Sequence, residues 1–421
     1  MAIHGAKAQK AEYRQRRVVV TGLGVVSPAG WNVASFQKAL NSGRTLIGPL
    51  TKFKAEHQRT KLAAQVPAPE KHTWLAQYGR GSPCDRFAVI AAREATQQAS
   101  LPNKLSELST GIFFGSSTGG LCETEAFYSR FLNTDTSQVD RKLLVSHHIC
   151  SPAEAIARQL CVSGPVETIS SACAAGGLAI KQAYSSVGAG EIDIALTGGA
   201  DALTITTYSG FNSLRNMDEN PCRPFQADRV GMSLGEGGAV LVVESLDHAL
   251  HRGAMPLAEI LGTGSSCDAA HMTSPSESGM FAAAAISEAI VTAGLKPSDI
   301  DYFNAHGTGT PHNDRAEYAA LRLVFGNHLP HVFLEPTKSI VGHSLGAAGA
   351  IEAASTILCL KNQAVHPTAM EPNLDPDTPV NLSYGLSVES TSLRHAVSSS
   401  FGFGGANVAI LFGRWEPQEN V

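Results

Sequence analysis

The chain has 421 residues, 43% of them hydrophobic and 16% charged, with 40 glycines and a formal net charge of -5. That length exceeds what one small core can organise and predicts two domains or one large duplicated unit. No basic excess points to nucleic acid, and residues 1–17 hold no apolar run long enough for a signal peptide or a membrane span.

In chain order, Lys7, Lys10, Arg14, Arg16 and Arg17 surround a single acid, Glu12. Residues 1–16 therefore read as a solvated N-terminal extension, with a transit peptide, which would be longer and richer in serine, as the lesser alternative. Residues 17–27 (R-V-V-V-T-G-L-G-V-V-S) predict a buried strand running into a turn at Gly22-x-Gly24. Ser27 stands where a dinucleotide fingerprint requires glycine, and Pro28-Ala29-Gly30 blocks the helix that should follow, so that fingerprint is rejected. Residues 31–40 predict an amphipathic helix, 53–78 a surface loop, and 85–100 a helix rich in strong helix formers. Residues 111–117 predict another buried strand, and 121–160 a helical stretch interrupted at Pro152. A short β-prone run at 166–169 then feeds into Ser171-Ala172-Cys173, where small residues open a helix that fades near Gly188. Residues 192–200 predict the next strand, Asn220-Pro221 and Arg223-Pro224 a loop, and Gly235-Glu236-Gly237-Gly238 a glycine hairpin before a strand at 239–243.

The chain then repeats itself. Residues 258–265 match 18–25, each an apolar run into G-x-G, and Gly402-Phe403-Gly404-Gly405-Ala406 with its apolar run repeats the hairpin at Gly235. Each hairpin lies roughly sixty residues after a turn that opens an alanine-rich helix, at Cys173 in one half and His343 in the other. Two related α/β halves are expected, residues 17–255 and 256–421, with almost wholly apolar strands covered on both faces.

Cys173 falls between a strand and a helix, where unpaired backbone N–H groups and the helix dipole favour a thiolate. The same residue also reads as a small buried hydrophobe, the usual fate of a free cysteine. The eight cysteines form no C-x-x-C pair and no zinc spacing, so no metal is expected and a reducing cytoplasm fits. His306, in N-A-H-G-T-G-T, and His343, in K-S-I-V-G-H-S, each stand beside glycines at an element end, from which an imidazole reaches a pocket. A thiolate and two converging imidazoles make an acyl-transfer site: the sulfur takes the acyl group and the rings manage charge on a thioester carbonyl and a carboxylate.

The ordered set S-A-C-A-A-G-G, N-A-H-G-T-G-T-P, K-S-I-V-G-H-S-L-G-A-A-G and S-F-G-F-G-G-A-N closely resembles the β-ketoacyl-acyl carrier protein synthases of class I/II, over about Arg17 to Gly413. The resemblance implies a thiolase-like fold, two duplicated halves in a five-layer αβαβα sandwich. It implies a decarboxylating Claisen condensation in which Cys173 takes an acyl group and malonyl-carrier protein loses carbon dioxide to attack it. By the same resemblance His306 and His343 hold the malonyl thioester and stabilise its enolate. The backbone N–H groups of Cys173 and Phe401 form the oxyanion hole, and Phe401 gates the acyl pocket. Lys338 and Glu317 form a supporting charged pair. Thr308 and Thr310, with Thr273 and Ser274, bind the phosphopantetheine arm, Phe403 and Met232 contact substrate, and Arg215 meets the acidic carrier protein. The implied partners are acyl carrier protein and a second subunit, as a homodimer or a heterodimer with a chain-length-factor-like protein. No cofactor is implied beyond the phosphopantetheine that carries the substrates.

Some positions depart from the family pattern. Where many relatives read aspartate, arginine, aspartate, glycine and phenylalanine this chain has Gln226, Arg229, Val230, Gly231 and Met232, and His147 and His148 stand where relatives carry mostly apolar residues. A polar or unusually shaped acyl chain, as in polyketide or polyene synthesis, is therefore weighed beside ordinary fatty acid elongation. A rival of another class is a serine hydrolase or acyltransferase built on Ser344 in Gly342-His343-Ser344-Leu345-Gly346, with an acid such as Asp375 or Asp377 and a histidine such as His395.

Overall fold

The computed structural model describes residues 15–68, 81–133, 140–385 and 389–417; the extension up to residue 14 and residues 69–78 of the predicted loop lie outside them. The first half runs β1 (Val18–Val26), α1 (Val33–Ser42), the short strands β2 (Ile47–Pro49) and β3 (Leu62–Ala64), α2 (Pro83–Gln98), β4 (Thr110–Gly115) and α3 (Leu121–Asn133). It continues with α4 (Ser151–Leu160), β5 (Val166–Ile169), α5 (Ala175–Gly188), β6 (Ile194–Asp201), α6 (Ile205–Ser213), β7 (Gly237–Ser245) and α7 (Leu246–His251). The second half holds β8 (Ala258–Cys267), α8 (Met280–Thr292), β9 (Tyr302–Asn304), α9 (Pro311–Phe325), β10 (Phe333–Glu335), α10 (Lys338–Val341) and α11 (Ala348–Asn362). The short strands β11 (Ala364–Val365), β12 (Asn381–Leu382) and β13 (Glu389–Ser390) then lead to β14 (His395–Phe401) and β15 (Ala406–Arg414).

The strand order β1-β7-β6-β4-β5 is repeated as β8-β15-β14-β9-β10. In both, the first two neighbour pairs are antiparallel and the last two parallel. Pairs Val18 with Ile260, Val19 with Glu259 and Val20 with Ala258 join the halves, and β12 adds an edge beside β10.

Side-chain alternation assigns the layers. Along β7, Ala239, Leu241 and Val243 face a central core, whereas Val240 and Val242 face one built by α2 and α4. Along β15, Val408, Ile410 and Phe412 face the same central core and Ala409 and Leu411 a third, built by α8 and α9. The central core is filled by α5 and α11, so five layers result: helices, strands, helices, strands, helices. Among the described residues no helix is long and apolar enough to cross a membrane.

Two local expectations are corrected. Gly22-x-Gly24 and Gly262-x-Gly264 are not turns but lie inside β1 and β8. A Cβ at Gly24 would lie 1.9 Å from the Ala91 carbonyl oxygen and one at Gly264 2.1 Å from that of Ala285, so these glycines let α2 and α8 lie directly on the strands. Pro152 does not interrupt a helix either: it sits in the first turn of α4, where its missing N–H costs nothing, and the break falls earlier.

Candidate active site

The two central helices cross backbone to backbone. A Cβ on Gly176 would fall 2.8 Å from the Gly346 carbonyl oxygen, and one on Gly349 2.8 Å from the Gly177 nitrogen. The helix starts correspond, for α5 follows Ala174 and α11 follows Ala347. Two residues before each, Ala172 (φ 45) and Leu345 (φ 53) adopt the left-handed region that residues with a Cβ enter only at a cost of order 1 kcal/mol. These matched turns bring residues from opposite halves of the chain into one place.

Cys173 lies in the first of them, buried, with His343 Nε2 3.0 Å from its Sγ. The His343 backbone is pinned separately, its N–H donating to the Ser233 carbonyl (2.8 Å) and its carbonyl accepting from Gly235 N–H (2.8 Å). His306 follows β9, and its ring centroid lies 5.4 Å from that of His343 at 88°. The backbone N–H groups of His306 and Gly307 donate to the Glu317 carboxyl at 2.7 and 2.8 Å, which fixes the turn. Lys338, fully buried in α10, donates to the His306 carbonyl oxygen (2.5 Å), and its Nζ stands 3.2 Å from His306 Nδ1. An ammonium has no lone pair, so Nδ1 is the acceptor and His306 keeps its proton on Nε2.

Lys338 is not paired with Glu317, as the sequence suggested. Its carboxylate is Glu352, one turn into α11. Burial pushes both Glu317 and Glu352 up to about 7. It drives His306 and His343 well below the usual histidine value, with the nearby Lys338 charge acting the same way. The thiol of Cys173 is pushed up to about 12 by burial, opposed by Lys338 and by the Phe403 backbone N–H that donates to the sulfur. The resting pair is therefore a neutral thiol on a neutral imidazole, not the thiolate expected from the helix start. The desolvation of a closed site outweighs the dipole.

A cavity of about 270 Å³ opens onto these groups, lined by Cys173, His306, His343, Phe401, Phe403 and Met232, and by Thr308, Thr310, Thr273 and Ser274. The backbone N–H that reaches the sulfur belongs to Phe403, not Phe401. Phe401 instead packs its ring 5.7 Å from that of His306. Arg215 is outside the cavity, in a separate groove with His57 and Arg59. His147 and His148 are also outside it, exposed, with His147 Nδ1 3.0 Å from Thr124 Oγ1. Gln226 is buried, its side chain donating to Tyr384 Oη and accepting from Asn373 N–H.

Two acids went unread in the sequence. Glu352 is one. The other is Asp201, at the end of β6, whose carboxylate accepts from Ser116 Oγ, Ser117 N–H and Thr118 N–H and, at 2.7 Å, from Gly346 N–H. It ties the Cys-bearing half to the start of α11. The signal available was an acid directly after the strand end G-G-A.

The hydrolase arrangement is not assembled. The residues before His343 form the helical turn α10 rather than a strand, and the left-handed residue is Leu345 rather than Ser344. Asp375 is ion-paired with Arg229 at 2.5 Å, and His395 Nδ1 faces the Asp299 carbonyl oxygen at 2.9 Å.

Family models described as Beta-ketoacyl synthase, N-terminal domain, and Beta-ketoacyl synthase, C-terminal domain, match residues 15–249 and 257–370. The 3-oxoacyl-(acyl-carrier-protein) synthase 2 of Synechocystis sp. is 35% identical over 418 residues, covering 96% of this chain and 100% of the relative. The ishigamide ketosynthase/chain length factor structure superposes with a TM-score of 0.88 at 34% identity, over 96% of this chain and 100% of that one. A type II polyketide synthase acyl-carrier protein in complex with its ketosynthase gives a TM-score of 0.88 at 29% identity, over 96% and 100%. A cysteine and two histidines contributed by matched halves, with both family models matched in order along the chain, lead to one assignment: this chain belongs to the β-ketoacyl synthases.

Proposed function

We propose that Cys173 is the nucleophile of the condensation and that His343 and His306 divide its proton and charge chemistry. The observation that carries this reading is the pairing of His343 Nε2 with Cys173 Sγ at 3.0 Å beside a second imidazole whose Nδ1 is committed to Lys338. In the first half-reaction the thiol proton passes to His343 as the sulfur attacks the acyl thioester. The tetrahedral oxyanion forms against the backbone N–H groups of Cys173 and Phe403, and the departing phosphopantetheine thiol takes the proton back. In the second, the malonyl thioester oxygen accepts from His306 Nε2–H. The bond to the carboxylate breaks, carbon dioxide leaves, and the resulting enolate carbon attacks the acyl carbonyl and expels the Cys173 sulfur as a thiolate, which takes up one proton from solvent to restore the resting thiol. The product is a β-ketoacyl thioester two carbons longer, as in fatty acid or type II polyketide elongation.

Thr308, Thr310, Thr273 and Ser274 line the cavity where the phosphopantetheine arm enters. Arg215 and Arg59, in a groove that His57 also lines, offer an acidic carrier protein two guanidinium groups. A second subunit, as a copy of this chain or a chain-length-factor-like partner, covers the exposed apolar residues Tyr128, Phe131, Leu132, Val145 and Ile149. The solved relatives named as a ketosynthase with its chain length factor and as a ketosynthase with its carrier protein support both partners.

Intact-mass analysis of the protein and Cys173→Ala, incubated with acyl-carrier proteins and then malonyl-carrier protein, tests the reading. Acyl mass on Cys173 that discharges as a two-carbon-longer ketoacyl product is expected. A label on Ser344 that survives in Cys173→Ala would overturn it.

A further inference from the structure

We propose that Ser117 and Asp201 are positioning residues that hold the peptide carrying the Cys173 N–H in its oxyanion-binding orientation, a reading that rests on the roles given above to Cys173 and that N–H. Ser117 stands in the turn after β4, and its Oγ donates to the Ala172 carbonyl oxygen at 3.0 Å. That carbonyl and the Cys173 N–H belong to one planar trans peptide, so they point in opposite directions. Fixing the oxygen on the Ser117 side therefore fixes where the N–H points.

This peptide needs a hold. Ala172 (φ 45) is left-handed, a conformation that costs a residue with a Cβ of order 1 kcal/mol and persists only where the surroundings over-determine it. The helix start gives its carbonyl one further donor, Ala175 N–H, at 3.2 Å. Asp201 fixes the turn that supplies the other. Its two carboxylate oxygens accept from Ser117 N–H at 3.0 and 2.9 Å, and Oδ1 accepts from Ser116 Oγ, Thr118 N–H and Thr118 Oγ1, each at 2.8 Å.

The same carboxylate reaches the other half of the chain. Asp201 Oδ2 accepts from Gly346 N–H at 2.7 Å, and that N–H lies in the peptide following Leu345, the second left-handed residue. A Cβ on Gly346 would stand 2.7 Å from Asp201 Oδ2 and 2.8 Å from Ser117 Oγ, so the three groups are in direct contact. One carboxylate and one hydroxyl thus grip the peptide after each strained residue, the first by its carbonyl and the second by its N–H. Neither Ser117 nor Asp201 is among the residues that line the cavity. The Asp201 charge works against ionising the Cys173 thiol, so its service to that residue is geometric.

The test uses the full chain as wild type, Ser117→Ala and Asp201→Asn. An asparagine amide turned either way sets its NH2 against backbone N–H groups, so both variants loosen the same peptide. Two reactions of Cys173 are compared. Acyl transfer from an acyl-carrier protein, followed by intact mass in single turnover, builds a tetrahedral oxyanion; alkylation by iodoacetamide displaces iodide and builds none. Loading at saturating carrier protein is expected to fall roughly tenfold or more, toward the 10²–10³-fold that removing a whole oxyanion donor costs, with KM constant. Alkylation is expected not to fall. Condensation builds the same oxyanion, so a larger share of the enolate formed on decarboxylation should take a proton from solvent and leave as acetyl-carrier protein instead of ketoacyl product. Wild-type loading in either variant, an unchanged ratio of the two products, or loading and alkylation falling together overturns the proposal, the last being what general loss of structure gives. Should Asp201→Asn fail to fold, Ser117→Ala, which deletes one half-buried hydroxyl, decides the matter. If the wild type itself takes no acyl group on Cys173, the functional reading fails instead, before any variant is compared.

Discussion

Replacing Lys338 by methionine keeps most of the buried stem and removes the ammonium that touches both His306 and Glu352. Glu352 is then left in the interior with Oε2 already without a partner. Orphaning one member of a buried ion pair costs about 3–5 kcal/mol. That cost depends on pH. Burial pushes Glu352 up to about 7 even with Lys338 opposing it, so the folded protein holds this proton more tightly than the unfolded chain does. The stability linked to it is complete below the ordinary carboxylate range and is lost as pH rises through about 7. Lys338→Met should therefore be markedly less stable at pH 8 and close to wild type at pH 5. Lys338→Met/Glu352→Gln, which removes both charges, should regain most of the loss at pH 8. Function separates from stability in the same pair. His306 loses the donor that fixes its tautomer, so decarboxylation falls roughly 10²–10³-fold in the single and the double variant alike, the scale of losing one preorganised donor. Denaturant unfolding at the two pH values and carbon dioxide release per loaded Cys173 read both effects. Equal stability of single and double variants at pH 8, or undiminished decarboxylation in Lys338→Met, would refute the argument.

Three further outcomes are expected. Gly24→Ala drives a Cβ to 1.9 Å from the Ala91 carbonyl oxygen and should cost about 3 kcal/mol or more, whereas Gly253→Ala, with open space around it, loses only about 1 kcal/mol to its positive φ. Urea midpoints compare them, and equal losses would contradict the close packing of α2 on β1. Because burial pushes the Cys173 thiol up to about 12, its alkylation by iodoacetamide, with Cys173→Ala as blank, should keep accelerating beyond pH 9. A plateau near pH 7 would show a thiolate instead. Glu317, also pushed up to about 7 by burial, adds to the fall in stability as pH rises from the carboxylate range toward 7. Glu317→Gln should flatten that slope and cost about 1–3 kcal/mol at low pH, since one of the two backbone N–H groups at His306 and Gly307 loses its acceptor; an unchanged slope in thermal melts would remove Glu317 from the account.

What the sequence made legible was periodic or local. The apolar strands, the helix after Cys173 and the turns carrying His306 and His343 stand where patterning put them, because each depends on a few adjacent residues. The failures share a cause. Gly22 and Gly24 were read as a turn because glycine permits one, but the demand on them comes from a helix some seventy residues away that needs their missing side chains. The partner of Lys338 was assigned to Glu317, whereas Glu352 reaches it only because α10, the turn at His343 and α11 fold back on one another. No spacing rule spans a turn of that shape. The oxyanion-hole N–H was assigned to Phe401, whereas the N–H that reaches the sulfur is that of Phe403, two residues past the end of β14. The thiolate expected at the helix start failed because a dipole is visible in a sequence and desolvation is not.

The crossing of α5 and α11 also governs how the polypeptide can be divided. Each central helix is sealed by strands of both halves, so either half alone would open a whole hydrophobic face to water. The connection at 252–255 is by contrast exposed or half-buried. A single nick there severs one peptide bond and leaves the glycine contact between the helices intact. The two fragments are expected to migrate as one non-covalent body in size-exclusion chromatography and to part only in denaturant. On that account the assembled site depends on the bare backbone at Gly176 and Gly349 more than on chain continuity between the halves.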